Sequence, residues 1–465
     1  MLPIILLSVL GIVLLFMGFL KSRALLLPST LLFLLLALGA SFLDWGKNYL
    51  YFRDMLMVSN LTIIFSTVIL LSAFMVVALS GDFLEDELAQ PAEYYAIMLF
   101  SIVGALMMIG FENLIMLFVG VEILSVSMYV LTGSDKRNLR SNEAALKYFL
   151  MGAFATGIML FGMALLYGAS GSFTLTDIKA YVLLTRGTSG VSLLLYMGVL
   201  LVLTGILFKV SAAPFHFWTP DVYEGAPTLF TAFMSTIVKT AGFAALFRLL
   251  SISFGDIYGF WGVVLAVITA LTLLAGNITA VYQDSFKRMM AYSSISHAGY
   301  LLIGLTAIGQ QSSEALVFYS LAYSMATITA FGILLLVAKQ RTVGGRPDES
   351  YDAFNGLARN NPLLAFILAV SMLSLAGIPL TAGFWGKFML FSTAMEKGLI
   401  WLPILAVLMS AVGIYYYFRV VIAAYFREGQ TERIRVAPFY QFILIAATVL
   451  TLVLGIAPGL VRGLV

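Results

Sequence analysis

The chain has 465 residues, of which 61% are hydrophobic and only 11% are charged, with a mean hydropathy of +1.02. Soluble domains carry about 25% charged residues, so this composition excludes a soluble fold and predicts a protein that crosses a membrane many times. The net charge of +3 is small and dispersed, which gives no support to a nucleic-acid partner. Cysteine is absent and only two histidines are present, so thiolate-bound clusters are excluded and neither haem nor zinc is expected in this chain.

Charged, glycine-rich and proline-rich breaks divide the sequence into about fourteen apolar spans suited to a hydrocarbon core of ~30 Å. Backbone in lipid must satisfy its own hydrogen bonds, so we predict an all-α membrane protein. The first span has no basic start and no cleavage site, and is predicted as a retained helix. The spans are 3–20, 25–43, 56–79, 92–110, 112–131, 143–168, 191–217, 228–250, 257–277, 289–308, 313–338, 362–395, 399–426 and 436–459.

Lysine and arginine in the loops predict the orientation, because positive loops stay on the cytoplasmic side. Most of these residues follow odd-numbered spans, as in the loop that carries Lys136, Arg137 and Arg140. We therefore expect the loops after odd-numbered spans to be cytoplasmic and both termini to lie on the outer side.

The seventh and twelfth predicted helices each carry a proline close to a lysine. Pro214 follows Lys209, and Pro379 precedes Lys387. Proline removes a backbone donor and clashes with the preceding turn, so both helices are predicted to break there. The two helices lie five spans apart and run in opposite directions, which predicts two inverted five-helix repeats, helices 4–8 and 9–13. The chain then divides into residues 1–90, 91–250, 251–428 and 429–465.

Four charged residues fall where lipid is expected, and each costs roughly 2.5–3.5 kcal/mol or more at the bilayer centre. Glu122 lies in the middle of the fifth span, Lys209 and Lys387 lie beside the two breaks, and Lys239 lies deep in the eighth span. A structural acid bonded to a neighbouring helix, or lysines that reach the interface, remain alternative interpretations. Snorkelling is hardest for Lys239, which is far from both ends of its span.

One acid and three bases form an unbalanced set, because Glu122 neutralises one lysine at a time. Desolvation and like charge favour the neutral form of the remaining lysines. A lysine that can lose its proton can carry one, which arginine cannot, so the set favours a proton relay over static pairing.

Other charged residues give weaker signals. Lys147 could contribute to the relay or anchor its helix at the interface, and His297 could carry protons between the two halves or only pack. Glu112 lies at a short turn and is expected to be solvated. Lys287 and Arg288 lie in a predicted cytoplasmic loop, where topology alone accounts for their charge.

Four segments resemble a known family: KVSAAPFHFWTPDVYEGAPTLFTAFMSTIVKTAGF, KYFLMGAFATGIMLFG, QDSFKRMMAYSSISHAGYLLIG and LAGIPLTAGFWGKF. They are similar to the antiporter-like membrane subunits of NADH:quinone oxidoreductase, respiratory complex I, and to subunit N among them. The likeness covers roughly residues 91–395. The TPDVYEGAPT segment favours subunit N over the related subunits M and L. The lysine at position 387 separates it further from subunit M, and the chain is too short for the lateral-helix extension expected of subunit L.

The resemblance implies roles for matching positions. It implies that Glu122 and Lys209 form the pair of helices 5 and 7, that Lys239 is the connecting lysine of helix 8, and that Lys387 passes protons to the outer side. It also implies that NADH, flavin, iron–sulfur clusters and quinone bind other subunits, so this chain carries no redox catalytic site. The implied partners are neighbouring membrane subunits of the complex and the lipid of a bacterial inner membrane.

The sequence therefore predicts a proton-translocating subunit of NADH:quinone oxidoreductase, which belongs to a translocase enzyme. Three alternatives remain: an Mrp-type sodium/proton antiporter subunit, a proton-pumping subunit of a related hydrogenase or ferredoxin-linked complex, and a structural membrane spacer. The spacer would leave four buried charges unexplained.

Overall fold

A computed structural model of the chain describes residues 1–20, 22–81, 83–84, 90–187, 190–309, 311–343, 346–429, 432–461 and 463. Within these ranges the protein is built almost entirely of α-helices, which confirms the predicted all-α class. Two short antiparallel hairpins accompany the helices; they pair β1 (Tyr49–Tyr51) with β2 (Leu56–Val58) and β3 (Thr342–Val343) with β4 (Arg346–Pro347).

Eighteen helices follow one another along the described residues, and ten of these are long and apolar enough to cross a membrane. The apolar composition required these lengths, because a crossing needs about 20 residues. The helices are α1 (Leu2–Met17), α2 (Leu26–Ser41), α3 (Asn60–Ala78), α4 (Pro91–Gly110), α5 (Leu114–Thr132), α6 (Leu139–Ser170), α7 (Leu175–Gly187), α8 (Leu193–Lys209), α9 (Trp218–Gly225), α10 (Thr228–Ile252), α11 (Tyr258–Val281), α12 (Phe286–Thr306), α13 (Ser312–Gln340), α14 (Leu357–Asn360), α15 (Pro362–Ala376), α16 (Ala382–Glu396), α17 (Trp401–Phe426) and α18 (Pro438–Ile456).

Local sequence signals set where these helices begin. Asn113 and Asn138 cap α5 and α6, each accepting a hydrogen bond from a backbone N–H of the first turn. Prolines stand in the first turn of α4, α15 and α18, where their missing N–H costs nothing. These caps and prolines make the helices begin next to the predicted breaks between apolar spans.

The centre of the molecule is formed by α10, α12 and α13. The apolar window of α10 is 100% buried and that of α13 is 89% buried, whereas those of α2 and α17 are each 28% buried. The outer helices expose large apolar side chains such as Phe16, Leu35 and Leu408, as expected for a surface in contact with lipid. Polar side chains of the central helices are therefore enclosed by protein.

Two interruptions divide helical stretches near their middle. After α8 ends at Lys209 the chain is non-helical until α9 begins at Trp218, and the Ala213–Pro214 peptide bond in this segment is cis. After α15 ends at Ala376 the chain turns through Gly377, which has a left-handed φ of +84°, and α16 begins at Ala382. Pro379 lies in this second interruption. Lys209 is thus the last residue of α8, and Lys387 lies in the second turn of α16, each close to an interruption.

Candidate functional site

Lys209 lies at the end of α8 in a pocket of aromatic rings. It is 2% exposed, and its Nζ lies 5.3 Å from the ring centre of Tyr129 and 5.4 Å from that of Tyr148. Trp218, the first residue of α9, stacks on Tyr148 at 4.5 Å and donates from its indole N–H to the Phe208 carbonyl at 3.0 Å. Ring faces attract cations, so the pocket accepts the ammonium form without a carboxylate in contact.

Glu122 lies halfway along α5 and is half buried. It interacts electrostatically with Lys209, but no ion pair shorter than 4.0 Å joins the two among the described residues. Glu122 Oε1, Lys209 Nζ and the Tyr129 hydroxyl are all buried, with no hydrogen-bond partner in the described protein. Buried polar atoms of this kind are bridged by ordered water. The predicted pair therefore shares one region, and its members interact through space.

Lys239 follows a π-helical turn, Met234–Val238, in the middle of α10. Such turns are rare and often occur at functional sites. Lys239 is 2% exposed and donates to both the carbonyl and the hydroxyl of Ser294 on α12. The ring centre of Tyr323 lies 5.9 Å from its Nζ. A serine and an aromatic ring thus take the place of the counter-charge expected for a static ion pair.

His297 lies one turn beyond Ser294 on α12 and is held between two tyrosines. Its Nδ1 lies 2.6 Å from the Tyr319 hydroxyl and its Nε2 lies 2.9 Å from the Tyr417 hydroxyl. The Tyr417 hydroxyl also bonds Ser293. One ring nitrogen of a neutral imidazole donates while the other accepts, so both tautomers fit this arrangement. The contacts form a chain of exchangeable protons through a buried histidine.

Lys387 lies in the first two turns of α16, across from the end of α15. Its Nζ donates to the carbonyls of Leu375 (3.1 Å) and Ala376 (2.9 Å) and to the hydroxyl of Ser410 (2.8 Å). The ring centre of Tyr300 lies 4.4 Å away. The lysine therefore satisfies carbonyls that the interruption frees, as a cation does at a helix C-terminus.

Helix α12 connects these groups. Ser294, His297 and Tyr300 recur at intervals of three residues, which places them on one helix face at steps of ~4.5 Å along the axis. The first contacts Lys239 and the last contacts Lys387. The face spans ~9 Å from Ser294 to Tyr300, so the central helix brings three of the predicted residues into one buried row.

Lys147 lies apart from this row, at the surface. Its side chain is 42% exposed and its Nζ forms ion pairs with Asp221 (2.8 Å) and Glu143 (2.7 Å). Asp221 also pairs with Arg288 at 3.0 Å. Although partial burial opposes its charge, the ion pairs with Lys147 and Arg288 hold the pKa of Asp221 below its ordinary value. Lys147 therefore belongs to a solvated charge network at one end of the bundle.

Two charged contacts differ from the sequence-based expectation. Glu112, expected to be solvated, is 5% exposed and pairs with the buried Arg248. Lys287, expected to be an ordinary loop charge, is 2% exposed and donates to Glu349 and the Ala226 carbonyl. Their partners lie 61 or more residues away in sequence, so local patterns gave no sign of them.

Two polar residues of the buried row were also not anticipated. Tyr417 and Ser410 both lie on α17, where a serine and a tyrosine in an apolar helix carry little signal of their own. In the part of the chain that the structure describes, no three His, Cys, Asp or Glu residues group as metal ligands. The row consists of amines, an imidazole and hydroxyls, which can all exchange protons.

Comparison with known proteins places this geometry in a family. Residues 112–414 match the family model described as NADH:quinone oxidoreductase/Mrp antiporter, TM. The NADH-quinone oxidoreductase subunit N of Trichlorobacter lovleyi is 42% identical, covering 100% of this chain and 93% of that protein. A chain of respiratory complex I from Thermus thermophilus superimposes with a TM-score of 0.84 at 36% identity, covering 99% of both chains.

A chain of the Mrp complex from Dietzia sp. DQ12-45-1b superimposes with a TM-score of 0.83, covering 100% of this chain and 94% of that one. At 20% identity this likeness shows a shared fold alone. The full-length similarity to subunit N is much closer in sequence. The chain belongs to the subunit N family of NADH-quinone oxidoreductases, within the NADH:quinone oxidoreductase/Mrp antiporter membrane proteins.

Proposed function

We propose that this chain is a proton-translocating membrane subunit of an NADH:quinone oxidoreductase, and that it moves protons outward through Glu122, Lys209, Lys239, His297 and Lys387. The buried row on α12 carries the proposal, because it links Lys239 to Lys387 through groups that exchange protons. The choice of complex rests on the relatives, which are a subunit N of NADH-quinone oxidoreductase and a chain of respiratory complex I. Within that complex the chain is part of a translocase and performs no redox step itself.

The proposed path begins on the cytoplasmic side. Protons reach Lys209 and Lys239 from there, with the network around Lys147 and Asp221 as the surface that collects them. Charge on the Glu122–Lys209 pair alters the proton affinity of Lys239 through space. Protons then pass His297 to Lys387 and leave on the outer side.

We also propose that the chain has fourteen crossings and two inverted repeats. Ten crossings are the long apolar helices. The other four are α1, α8, α12 and the interrupted pair α15–α16, which counts as one. The boundaries are residues 1–90, 91–250 for helices 4–8, 251–428 for helices 9–13, and 429–465. In this count α4 is helix 4 and α11 is helix 9, and each begins a five-helix unit.

Matching backbone contacts support the repeat. In the first unit, Leu114 N donates to Phe173 O at 2.9 Å, joining the turn between the first two helices to the loop after the third. In the second unit, Phe286 N donates to Glu349 O at 3.0 Å and joins the corresponding segments. An isolated antiparallel bridge stands beside each bond. Such agreement is expected of duplicated units and is hard to obtain from unrelated folds.

The location and cofactors follow from the same proposal. The protein lies in a bacterial inner membrane with both termini on the outer side, since positive loops follow the odd-numbered crossings. Flavin, iron–sulfur clusters, NADH and quinone bind other subunits, and neighbouring antiporter-like and quinone-site subunits are its partners in the membrane.

The test uses the assembled complex in vesicles. Lys239→Ala and Lys387→Ala should each lower the number of protons moved per NADH oxidised, because each removes a proton-exchanging group from the row. Lys147→Ala is the matched lysine control at the surface and should have a smaller effect. Normal pumping with either buried substitution would refute the relay. Sodium-dependent transport by the isolated chain would instead favour the Mrp-type antiporter, and co-purification with a hydrogenase or ferredoxin-linked arm would favour that related complex.

A further inference from the structure

Arg248 lies near the end of α10 and fastens the turn between α4 and α5. It is 6% exposed, and it donates from Nε to the Phe111 carbonyl and from Nη2 to the Glu112 carboxylate. The backbone of Glu112 is held on both sides, since its N–H donates to Met55 O and its carbonyl accepts from Leu175 N, both at 2.9 Å. We call Arg248 and Glu112 the first clasp.

Arg419 lies in the last third of α17 and fastens the turn between α11 and α12. Its Nη1 donates to the carbonyls of Val281 and Gln283, both at 3.1 Å, and its Nη2 lies 3.5 Å from the Asp284 carboxylate. We call Arg419 and Asp284 the second clasp. Like the first, it consists of an arginine that binds a backbone carbonyl and an acid of one interhelical turn.

The two clasps occupy equivalent places. Each joins the fifth helix of its proposed unit to the turn between the first and second helices. Arg248 follows Lys239 by nine residues, and Arg419 follows Ser410, which bonds Lys387, by nine residues. Nine residues correspond to ~13.5 Å of helix. Each clasp therefore lies about one membrane leaflet away from a residue of the buried row.

The clasps lie at opposite ends of the bundle in the proposed topology. Five crossings separate the turn after α4 from the turn after α11, and an odd number reverses the side of the membrane. Between Lys239 and Arg248 every residue of α10 after Thr240 is apolar, and Phe243 and Leu246 are 0% exposed. Along α10 itself, water therefore meets few polar side chains between the row and this end.

We propose that Arg248 and Arg419 are positioning residues that close the two proton half-paths at opposite faces. The first clasp closes the outer end of the first unit, so that a proton on Lys239 cannot leave directly and moves along α12. The second clasp closes the cytoplasmic end of the second unit, so that a proton on Lys387 cannot return. This inference rests on the proposed function, since closed ends matter only to a chain that carries protons.

The test measures passive proton leak across vesicles that contain the assembled complex, without NADH, and then proton accumulation with NADH. The variant Arg248→Met with Glu112→Gln removes both charges together and leaves no unpaired buried ion. Arg186→Met is the matched control, because Arg186 also donates to a backbone carbonyl, that of Asp256, but takes part in neither clasp. Arg419→Met tests the second clasp, whose acid is exposed and whose loss should be better tolerated.

We expect the double variant and Arg419→Met each to raise passive leak several-fold and to lower accumulation, while NADH oxidation continues and Arg186→Met behaves as wild type. Wild-type leak in an assembled double variant would overturn the inference. If the double variant does not assemble, the leak of Arg419→Met becomes the test. A wild-type leak in Arg419→Met would then overturn the inference. Loss of pumping in Lys239→Ala without a rise in leak shows that the relay stands. Normal pumping in Lys239→Ala refutes the relay itself, and the leak measurement still tests the clasps.

Discussion

Replacement of Gly377 tests the position of Lys387 most directly. Gly377 follows α15 with a φ of +84°, and an added Cβ would lie 2.9 Å from Lys387 Cδ and 3.1 Å from its Nζ. Gly377→Ala should therefore push the lysine side chain away from the helix end without changing its charge. Gly171 is the matched control, since it follows α6 with a φ of +74° and an added Cβ would meet nothing within 4 Å.

The two substitutions share one cost and differ in another. Both place alanine in the left-handed region, which costs roughly 1–2 kcal/mol. Gly377→Ala also disturbs up to three hydrogen bonds of Lys387, to Leu375, Ala376 and Ser410. At about 0.5–1.5 kcal/mol each, the loss of one to three of these bonds adds about 0.5–4.5 kcal/mol beyond the control. The flexible lysine can move, so the larger effect should fall on proton transfer.

The assay compares thermal unfolding of the purified complex with proton accumulation in vesicles. We expect Gly377→Ala to unfold at a lower temperature than Gly171→Ala and to pump fewer protons per NADH, while Gly171→Ala pumps normally. Equal unfolding temperatures together with normal pumping by Gly377→Ala would refute the reasoning, because they would mean that Lys387 does not need its place at the helix end.

Two further predictions concern the proton chain and the surface network. Tyr417→Phe removes the hydroxyl that bonds His297 Nε2 and should slow NADH-driven proton accumulation while leaving the assembled complex intact; an unchanged initial rate would exclude this hydroxyl from the path. Asp221 has a pKa below 3.8 because its pairs with Lys147 and Arg288 outweigh its partial burial, so its stabilising contribution is complete at neutral pH and is lost as the pH falls below that value. Asp221→Asn should therefore lower the unfolding temperature at pH 7 more than at pH 3, and an equal drop at both would contradict this linkage.

The fold class and the buried lysines were predictable because both depend on composition and on distance from span ends. Lys239 lies far from either end of its span, so its burial in α10 follows from the length of the helix. The helix ends near Pro214 and Pro379 lie where proline chemistry places them.

The partners of these groups were not predictable, because tertiary contacts choose them. The expectation that Glu112 is solvated was wrong, since its partner Arg248 lies 136 residues away in the chain. The path through His297 depends on Tyr319 and Tyr417, which reach it from two different helices. A single sequence shows that these tyrosines exist, but only the packing of α13 and α17 on α12 gives them a role.

The serine at position 410 of α17 has a consequence for the direction of proton transfer. Ser410 stands where the first unit has Lys239, at the same spacing from the clasp arginine. Of the amines assigned to the proposed relay, the first unit therefore holds two, Lys209 and Lys239, whereas the second holds one, Lys387. When both relay amines of the first unit are protonated, their like charges repel each other, whereas the second unit has no second relay amine. The two units share one architecture but bind different numbers of protons. The two directions of proton transfer are therefore not equivalent, as they would be in a fully symmetric pair of units.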